Sequence, residues 1–166
     1  MTRAVIALGA NLGDRASTLA VAADALGQLP HTTLVALSSL YESAAVKPHG
    51  VDLSAPEYLN AVALIDTDLS ADELLAAIAE LEIAFGRVRH ERWGDRTLDL
   101  DIIVYGSVEQ ADDHLTLPHP RAHERSFVLV PWLEVDPLAE LPRGSVASLA
   151  GALAHEVRPY QAEAVN

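Results

Sequence analysis

Leu98-Asp99-Leu100-Asp101-Ile102-Ile103-Val104-Tyr105 reads as one β-strand, alternating at first, then continuously apolar, and stopped by Gly106. Aspartate is disfavoured inside strands, so two of them in one strand call for a reason. Side chains alternate across a strand, which puts Asp99 and Asp101 on one face and Leu98, Leu100 and Ile102 on the other. The apolar face predicts a packed core beneath it. On the acidic face the two Cα atoms would lie roughly 7 Å apart from the strand rise, and the carboxylates repel unless a cation lies between them. Oxygen ligands on a rigid strand suit Mg²⁺, which binds few carboxylates and completes its shell with water and phosphate oxygens. The plainer alternative is an edge strand whose two aspartates simply meet solvent.

Upstream of this strand, Ser70-Ala71-Asp72-Glu73 is a capping box. It predicts a helix carrying Leu74, Ile78, Leu81 and Phe85 on one face and ending at Gly86. Tyr58 to Ile65 alternates and reads as a strand, and Leu34 to Tyr41 as another. Between them, Glu42 to Pro56 has no clear period and is expected to be a long loop. At the start, Ala4 to Leu8 reads as a strand ended by Gly9. A loop to Asp14 leads into a helix with Leu19, Ala22, Ala23 and Leu26 inward, closing near Gly27. Downstream lie a short extended piece at Leu115–Leu117, an apolar helical segment from Ser126 to Glu134 and a small-residue helix around Val146 to His155. The order β-α-β-β-α-β predicts an α+β fold with a ferredoxin-like antiparallel sheet, helices packed on it and extra C-terminal helices. No linker or repeat interrupts it, so residues 1–166 are expected to form a single domain.

Half of the residues are hydrophobic and 21% are charged, a globular composition. Cysteine is absent, which excludes disulfides and Cys-ligated metal sites. No segment near the N-terminus has the length of a signal h-region or a membrane span, so the cytoplasm is the expected compartment. A net charge of −13 argues against a nucleic-acid partner. The cations are unevenly placed: Lys47 is the single lysine, and Arg87, Arg89, Arg92, Arg96, Arg121 and Arg125 fall close together in sequence. A basic patch on an acidic protein points to a small anionic ligand; the alternative is a solvated loop.

Four of those arginines and Trp93 lie in the segment leading to the acidic strand, Arg87-Val88-Arg89-His90-Glu91-Arg92-Trp93-Gly94-Asp95-Arg96. Guanidinium forks bind phosphate oxygens bidentately, and arginines beside a two-carboxylate metal site are what phosphoryl transfer needs. The P-loop, dinucleotide-binding and protein-kinase motifs are missing. His119 and His123 are four apart and could share a helix face, but no third zinc ligand stands at motif spacing.

Arg87-Val88-Arg89, followed by Glu91-Arg92-Trp93-Gly94-Asp95-Arg96-Thr97-Leu98-Asp99-Leu100-Asp101-Ile102, closely resembles the signature of the 6-hydroxymethyl-7,8-dihydropterin pyrophosphokinase family. Further matches run in order along nearly the whole chain: Gly9-Ala10-Asn11-Leu12, Tyr58-Leu59-Asn60-Ala61, Pro118-His119 and Arg125-Ser126-Phe127. The resemblance implies the ferredoxin-like fold and transfer of pyrophosphoryl from ATP to the hydroxymethyl oxygen of a reduced pterin, with release of AMP. It also implies roles for individual residues. Asp99 and Asp101 would hold two Mg²⁺ ions, and Arg87 and Arg96 would act as transition-state clamps. Glu82, Arg89, Trp93, Ile102, Thr116, His119 and Arg125 would bind ATP. Ser43, Ala44, Val46, Tyr58, Asn60 and Phe127 would bind the pterin, Tyr58 and Phe127 by stacking and Asn60 by reading the ring edge. For Glu82 the competing expectation is a plain exposed helix glutamate.

Some positions depart from the family pattern. Ser43-Ala44-Ala45 stands where members often read Thr-Pro-Pro, Pro120 replaces a frequent tyrosine, and His114 stands where an arginine can occur. These changes bear on loop stiffness and affinity more than on the reaction. Another Mg²⁺-dependent nucleotidyl- or phosphotransferase, or a ferredoxin-like sensing module without catalysis, are the competing readings. A monomer is expected, since no heptad stripe or long apolar edge stands out.

Overall fold

The computed structural model describes residues 1–47, 50–52, 57–86 and 97–161, with the backbone alone for 45–47 and 50–52. In chain order the strands and helices are β1 (Thr2–Ala10), α1 (Arg15–Gly27), β2 (Thr32–Leu37), β3 (Tyr41–Ser43), β4 (Ala45–Lys47), β5 (Gly50–Asp52), β6 (Tyr58–Thr67), α2 (Ala71–Ala84), β7 (Asp99–Tyr105), β8 (Gln110–Ala111), β9 (Thr116–Leu117), α3 (Ser126–Val135), β10 (Glu140–Leu141), β11 (Gly144–Ser145), α4 (Val146–Leu153) and β12 (Val157–Pro159). The main sheet runs β12-β3-β6-β1-β7, and β2 also pairs with β6. Its pairings are antiparallel. With β2 and β3 taken as two halves of the second strand, this is the strand order of the ferredoxin-like fold, as expected.

Helices cover both faces of the sheet. On one face α1 and α2 bring Leu19, Leu26, Leu74 and Ile78 against Ile6, Leu8, Ile65 and Leu100. On the other, α3 and α4 bring Leu129, Trp132 and Val146 against Val5, Val62, Leu64 and Ile103. The central strand β1 is therefore buried on both sides, which is why Ala4 to Leu8 is apolar throughout and does not alternate.

The caps form as expected. Ser70 Oγ accepts from the Glu73 backbone N–H at 3.1 Å, and a Glu73 carboxylate oxygen accepts from the Ser70 N–H at 2.9 Å. At the other end of α2, Gly86 takes a φ of +84°, a conformation that glycine adopts without cost, and its N–H donates to the Ile83 carbonyl.

Several expectations are corrected. The second strand is not continuous over Leu34–Tyr41. Its register against β6 shifts between Leu34 and Ala36, and the strand ends at Leu37. Ser38 then replaces a ladder partner with its side chain: its Oγ accepts from the Val62 N–H at 2.9 Å while its own N–H donates to the Val62 carbonyl. Glu134 of α3 takes up the next groups, accepting from the Ser39 N–H at 2.8 Å and the Tyr41 hydroxyl at 2.7 Å. The chain resumes on β6 as β3, one register step further on. The segment 42–56 is not all loop, because β4 and β5 form an antiparallel hairpin within it. His119 and His123 do not share a helix: His123 lies in a 3-10 turn, Ala122–Glu124, that begins after His119. The final strand β12, which extends the sheet beside β3, carried no recognisable signal in its short sequence.

Removing the capping oxygen isolates one term of this architecture. Ser70→Ala should lower the unfolding free energy by about 1 kcal/mol in urea titrations, with the slope unchanged. A loss within error of zero would show that α2 is held by its packing alone.

Candidate active site

The site is built on the sheet face that α3 covers only in part. Residues opposite one another in paired strands share a face, so two pairings of β1 define a row. Gly9 pairs with Asn60 of β6 on one side and with Asp99 of β7 on the other. Two residues back, Ala7 pairs with Val62 and with Asp101. Leu98, Leu100 and Ile102 go into the α1/α2 core instead, so the acidic and apolar residues of β7 separate by face as the alternation predicts.

Gly9 keeps the middle of the row low. A Cβ there would stand 3.5 Å from the Tyr58 ring and 3.6 Å from Asn60 Oδ1, so a methyl group would just fit and anything larger would fill the floor between the amide and the carboxylates. Beside Gly9, Asn60 is buried, and its amide nitrogen donates to Ser43 Oγ at 2.8 Å and to the Tyr41 carbonyl at 3.3 Å. These bonds assign the amide orientation and leave Oδ1 toward the floor. Ser43 pairs with Tyr58 across β3 and β6. Asn60, Tyr58 and Ser43 are thus brought together, with Ala44 next in the chain; Val46 lies in β4, where only the backbone is described.

Arg125 and Phe127 reach the row from the start of α3. Arg125 Nη1 lies 3.9 Å from Asp101 Oδ2, and its guanidinium stands 5.7 Å from the centre of the Phe127 ring. A cation so placed offsets part of the charge of Asp101 while keeping donors directed at the open face.

His119 closes the far side. Its backbone N–H donates to the Ile103 carbonyl at 2.9 Å, which fastens this segment along the edge of β7. Its Nδ1 accepts from the Arg121 N–H at 3.2 Å, so in the neutral ring Nε2 carries the proton. Burial, with Arg125 and Arg121 nearby, pushes its pKa down to about 4, against a smaller opposing pull from Asp99. The ring is therefore a neutral donor at physiological pH. Ile102, Thr116 and His119 line one cleft of about 280 Å³ together with Leu75, Leu100, Asp101 and Leu115. His114 and Asp112 stand at its rim, where Asp112 closes the β8–β9 turn by accepting from the His114 and Leu115 N–H groups.

Glu82 is not an exposed helix glutamate. It is buried on the inner face of α2, and its Oε2 accepts from the Leu100 N–H at 3.1 Å. That bond pins the outer edge of β7 between Asp99 and Asp101. The sequence signal for it is its place in the inward register of α2, four residues after Ile78. Gly9 does not end the first strand as expected, because β1 continues through it to Ala10; its place as a floor depends on what pairs with it. Arg87, Arg89, Trp93 and Arg96 lie outside the described residues.

Comparison with known proteins places this geometry in context. A family model described as 7,8-dihydro-6-hydroxymethylpterin-pyrophosphokinase (HPPK) matches residues 5–137. Among curated relatives, a 2-amino-4-hydroxy-6-hydroxymethyldihydropteridine pyrophosphokinase from Haemophilus influenzae is 43% identical over 146 residues, covering 88% of this chain and 89% of that protein. One of the same name from Mycobacterium tuberculosis is 39% identical over 176 residues, covering 100% of this chain and 89% of that protein. Among solved structures, a Plasmodium falciparum HPPK-DHPS chain with pterin and p-hydrobenzoate superposes with a TM-score of 0.70 at 13% identity, a likeness of fold. It covers 95% of this chain and 47% of that one, so the present chain spans about half the length of that structure.

The depressed histidine has a measurable consequence. Between the ordinary value of 6.5 and about 4, the unfolded chain takes up a proton that folded His119 refuses, so this group's contribution to stability falls as pH falls through that window. His119→Gln should flatten the decline of the urea midpoint between pH 7 and pH 4.5 relative to the parent. Parallel pH profiles for the two proteins would contradict the assignment of a buried neutral ring.

Proposed function

Because the chain belongs to the 7,8-dihydro-6-hydroxymethylpterin-pyrophosphokinase family, whose members transfer pyrophosphoryl from ATP to the hydroxymethyl group of 6-hydroxymethyl-7,8-dihydropterin in folate biosynthesis, we propose that this transfer takes place over Gly9. The observation that supports this placement is the pairing of one residue, Gly9, with both Asn60 and Asp99. It sets an amide suited to a heterocycle edge beside a carboxylate pair suited to a polyphosphate's cation.

On the pterin side, the Asn60 amide is oriented by Ser43 and the Tyr41 carbonyl, so its recognition costs little further ordering. Tyr58 and Phe127 supply flat apolar faces for the ring, and Ser43, Ala44 and Val46 contribute backbone contacts. On the nucleotide side, the apolar walls of the β7–β9 cleft, Leu75, Leu100, Ile102 and Leu115, suit the base and sugar of ATP. Thr116, His119 and Arg125 offer donors to the phosphates, and Glu82 serves the same side by holding β7 in register.

Asp99 and Asp101 fit Mg²⁺. They present two carboxylates from one strand face, the donor set a Mg²⁺ ion takes when phosphate oxygens and water complete its shell. We assign two ions to them; bound there, Mg²⁺ neutralises charge on the triphosphate. The reaction needs no protein nucleophile. The pterin hydroxyl attacks the β-phosphorus, the bond to the α-phosphate oxygen breaks, and AMP leaves while the hydroxyl proton passes to water or a phosphate oxygen. The chain supplies position and charge: Arg125 and His119 hold the phosphates in line, Arg87 and Arg96 stabilise transferring charge, and Arg89 and Trp93 complete the nucleotide site. We take residues 1–166 as one catalytic domain, acting as a monomer in the cytoplasm. No helix of the described residues is long and apolar enough to cross a membrane.

The test is AMP release from ATP and Mg²⁺ with and without the pterin. AMP formation should depend on the pterin and stop with EDTA, whereas ADP in place of AMP would mean attack at the γ-phosphorus and a different kinase. Asp101→Ala should cost about three orders of magnitude in kcat, the scale of the several kcal/mol a metal site supplies, with the fold intact by circular dichroism. Near-parental turnover in that variant would overturn the metal assignment. Gly9→Val should weaken pterin binding well over tenfold in titration calorimetry, because its branches occupy the floor; undiminished binding would place the pterin elsewhere.

A further inference from the structure

A charged cluster at the sheet edge opposite β7 is used by nothing in the preceding account. Strand β12 lies antiparallel to β3, with Val157 opposite Ser43, Arg158 opposite Glu42 and Pro159 opposite Tyr41. The Tyr160 N–H continues the ladder by donating to the Leu40 carbonyl at 2.9 Å. From this strand the Arg158 Nη2 reaches two carboxylates, Glu42 Oε2 at 2.9 Å and Glu57 Oε2 in a close ion pair. These partners are 116 and 101 residues away in the sequence. Arg15 reinforces the same point: its Nη1 donates to the Glu57 carbonyl at 2.8 Å, and its guanidinium stands 5.9 Å from the centre of the Tyr160 ring.

Glu42 and Glu57 are the immediate neighbours of two residues assigned to the pterin. Glu42 precedes Ser43, and Glu57 precedes Tyr58. Ser43 and Tyr58 face each other across β3 and β6, and Ser43 fixes the Asn60 amide. We infer that Arg158 is a positioning residue for the pterin: gripping Glu42 and Glu57 together, it fixes the spacing of Ser43 and Tyr58 and, through Ser43, the orientation of Asn60. This rests on the assignment of those residues to the pterin.

The physics favours position over stability. The Arg158 side chain is 62% exposed, and exposed ion pairs contribute little to the folding free energy. Two glutamates held against each other are another matter. Their nearness to each other pushes the pKa of Glu42 up, and that of Glu57 is pushed down with Arg158 and Arg15 beside it. Without the guanidinium between them the like charges separate, and the residues beside them move apart as well. Both carboxylates meet one terminal nitrogen of Arg158, Nη2, so a single positive group at the end of that long side chain holds them together.

The experiment compares steady-state constants of Arg158→Met with those of the parent enzyme. The KM for the pterin should rise about five- to tenfold, while the KM for ATP and kcat stay within about twofold. A second change, Glu42→Gln, removes the repulsion and should bring the pterin KM of Arg158→Met/Glu42→Gln most of the way back. An unchanged pterin KM, a parallel rise for both substrates, or no recovery in the double variant would overturn the proposal. Should Arg158→Met not fold, Arg158→Lys keeps the charge on a shorter side chain, which draws it back from the two carboxylates. It should raise the pterin KM about threefold, and no rise there counts equally against the proposal. Asn60→Ala separates the two layers of the argument: if it leaves the pterin KM unchanged, the pterin site itself is misplaced, whereas a null result confined to the Arg158 variants removes only the clip.

Discussion

The site depends on the register of three antiparallel strands around β1. Gly9 faces Asn60 and Asp99, and Ala7 faces Val62 and Asp101, because β6 and β7 are each locked to β1 at one setting. A slip of one residue in β7 would turn Asp99 and Asp101 into the apolar layer beneath α1 and α2 and expel Leu100 and Ile102. Both faces of the sheet oppose that slip. Ile6 and Leu8 are buried on one side and Val5 on the other, so a setting that exchanges the faces satisfies neither core. The irregularity in the β1–β7 ladder, between Val5 and Ile6, lies on the far side of Ala7 from the acidic pair. The carboxylates thus stand on a regular stretch of strand.

Charge on this face is arranged against the charge of the whole. The chain carries a net −13, yet the open end of the sheet collects Arg125 and Arg121 around a histidine held neutral by its burial and by those same arginines. An anion approaching an acidic protein meets a local donor field there, while the aspartates beside it repel each other unless a cation intervenes. On the proposed placement, such a surface would suit a polyanion together with its counter-cation better than either alone. That is the behaviour a metal–nucleotide complex demands.

Much of the fold was legible because it is written in local periods. The inward set of α1, the capping box of α2, the turn at Gly86 and the face separation of β7 all follow from neighbours in sequence. What escaped depends on partners far along the chain. The break between β2 and β3 is held by Glu134, 95 residues beyond Ser39, and by a serine hydroxyl that stands in for a backbone group. Strand β12 is too short to show a period and exists as a strand because β3 presents an edge. Glu82 was open between a nucleotide-side residue and an exposed helix glutamate; its inward place in α2 was readable, but its partner, a backbone N–H, was not. Asp99 and Asp101 stood out as candidates because carboxylates inside a strand conflict with strand propensity, and such conflicts tend to mark function.

The position of β7 as the outermost strand explains how two such residues are tolerated. An edge strand exposes backbone groups that would otherwise invite pairing with another chain. Here different elements occupy them: Glu82 of α2 takes the Leu100 N–H, and the His119 N–H takes the Ile103 carbonyl. The edge is therefore closed, and His119 is fixed to the acidic strand by one backbone bond. On the opposite edge, β12 closes β3 in the same way. Each margin of the sheet is thus covered by an element bonded along it, and β1 holds the strands of Asn60 and Asp99 at a fixed separation. A reaction that must bring two substrates into line gains from such an arrangement, because the alignment is set in the fold before either substrate binds.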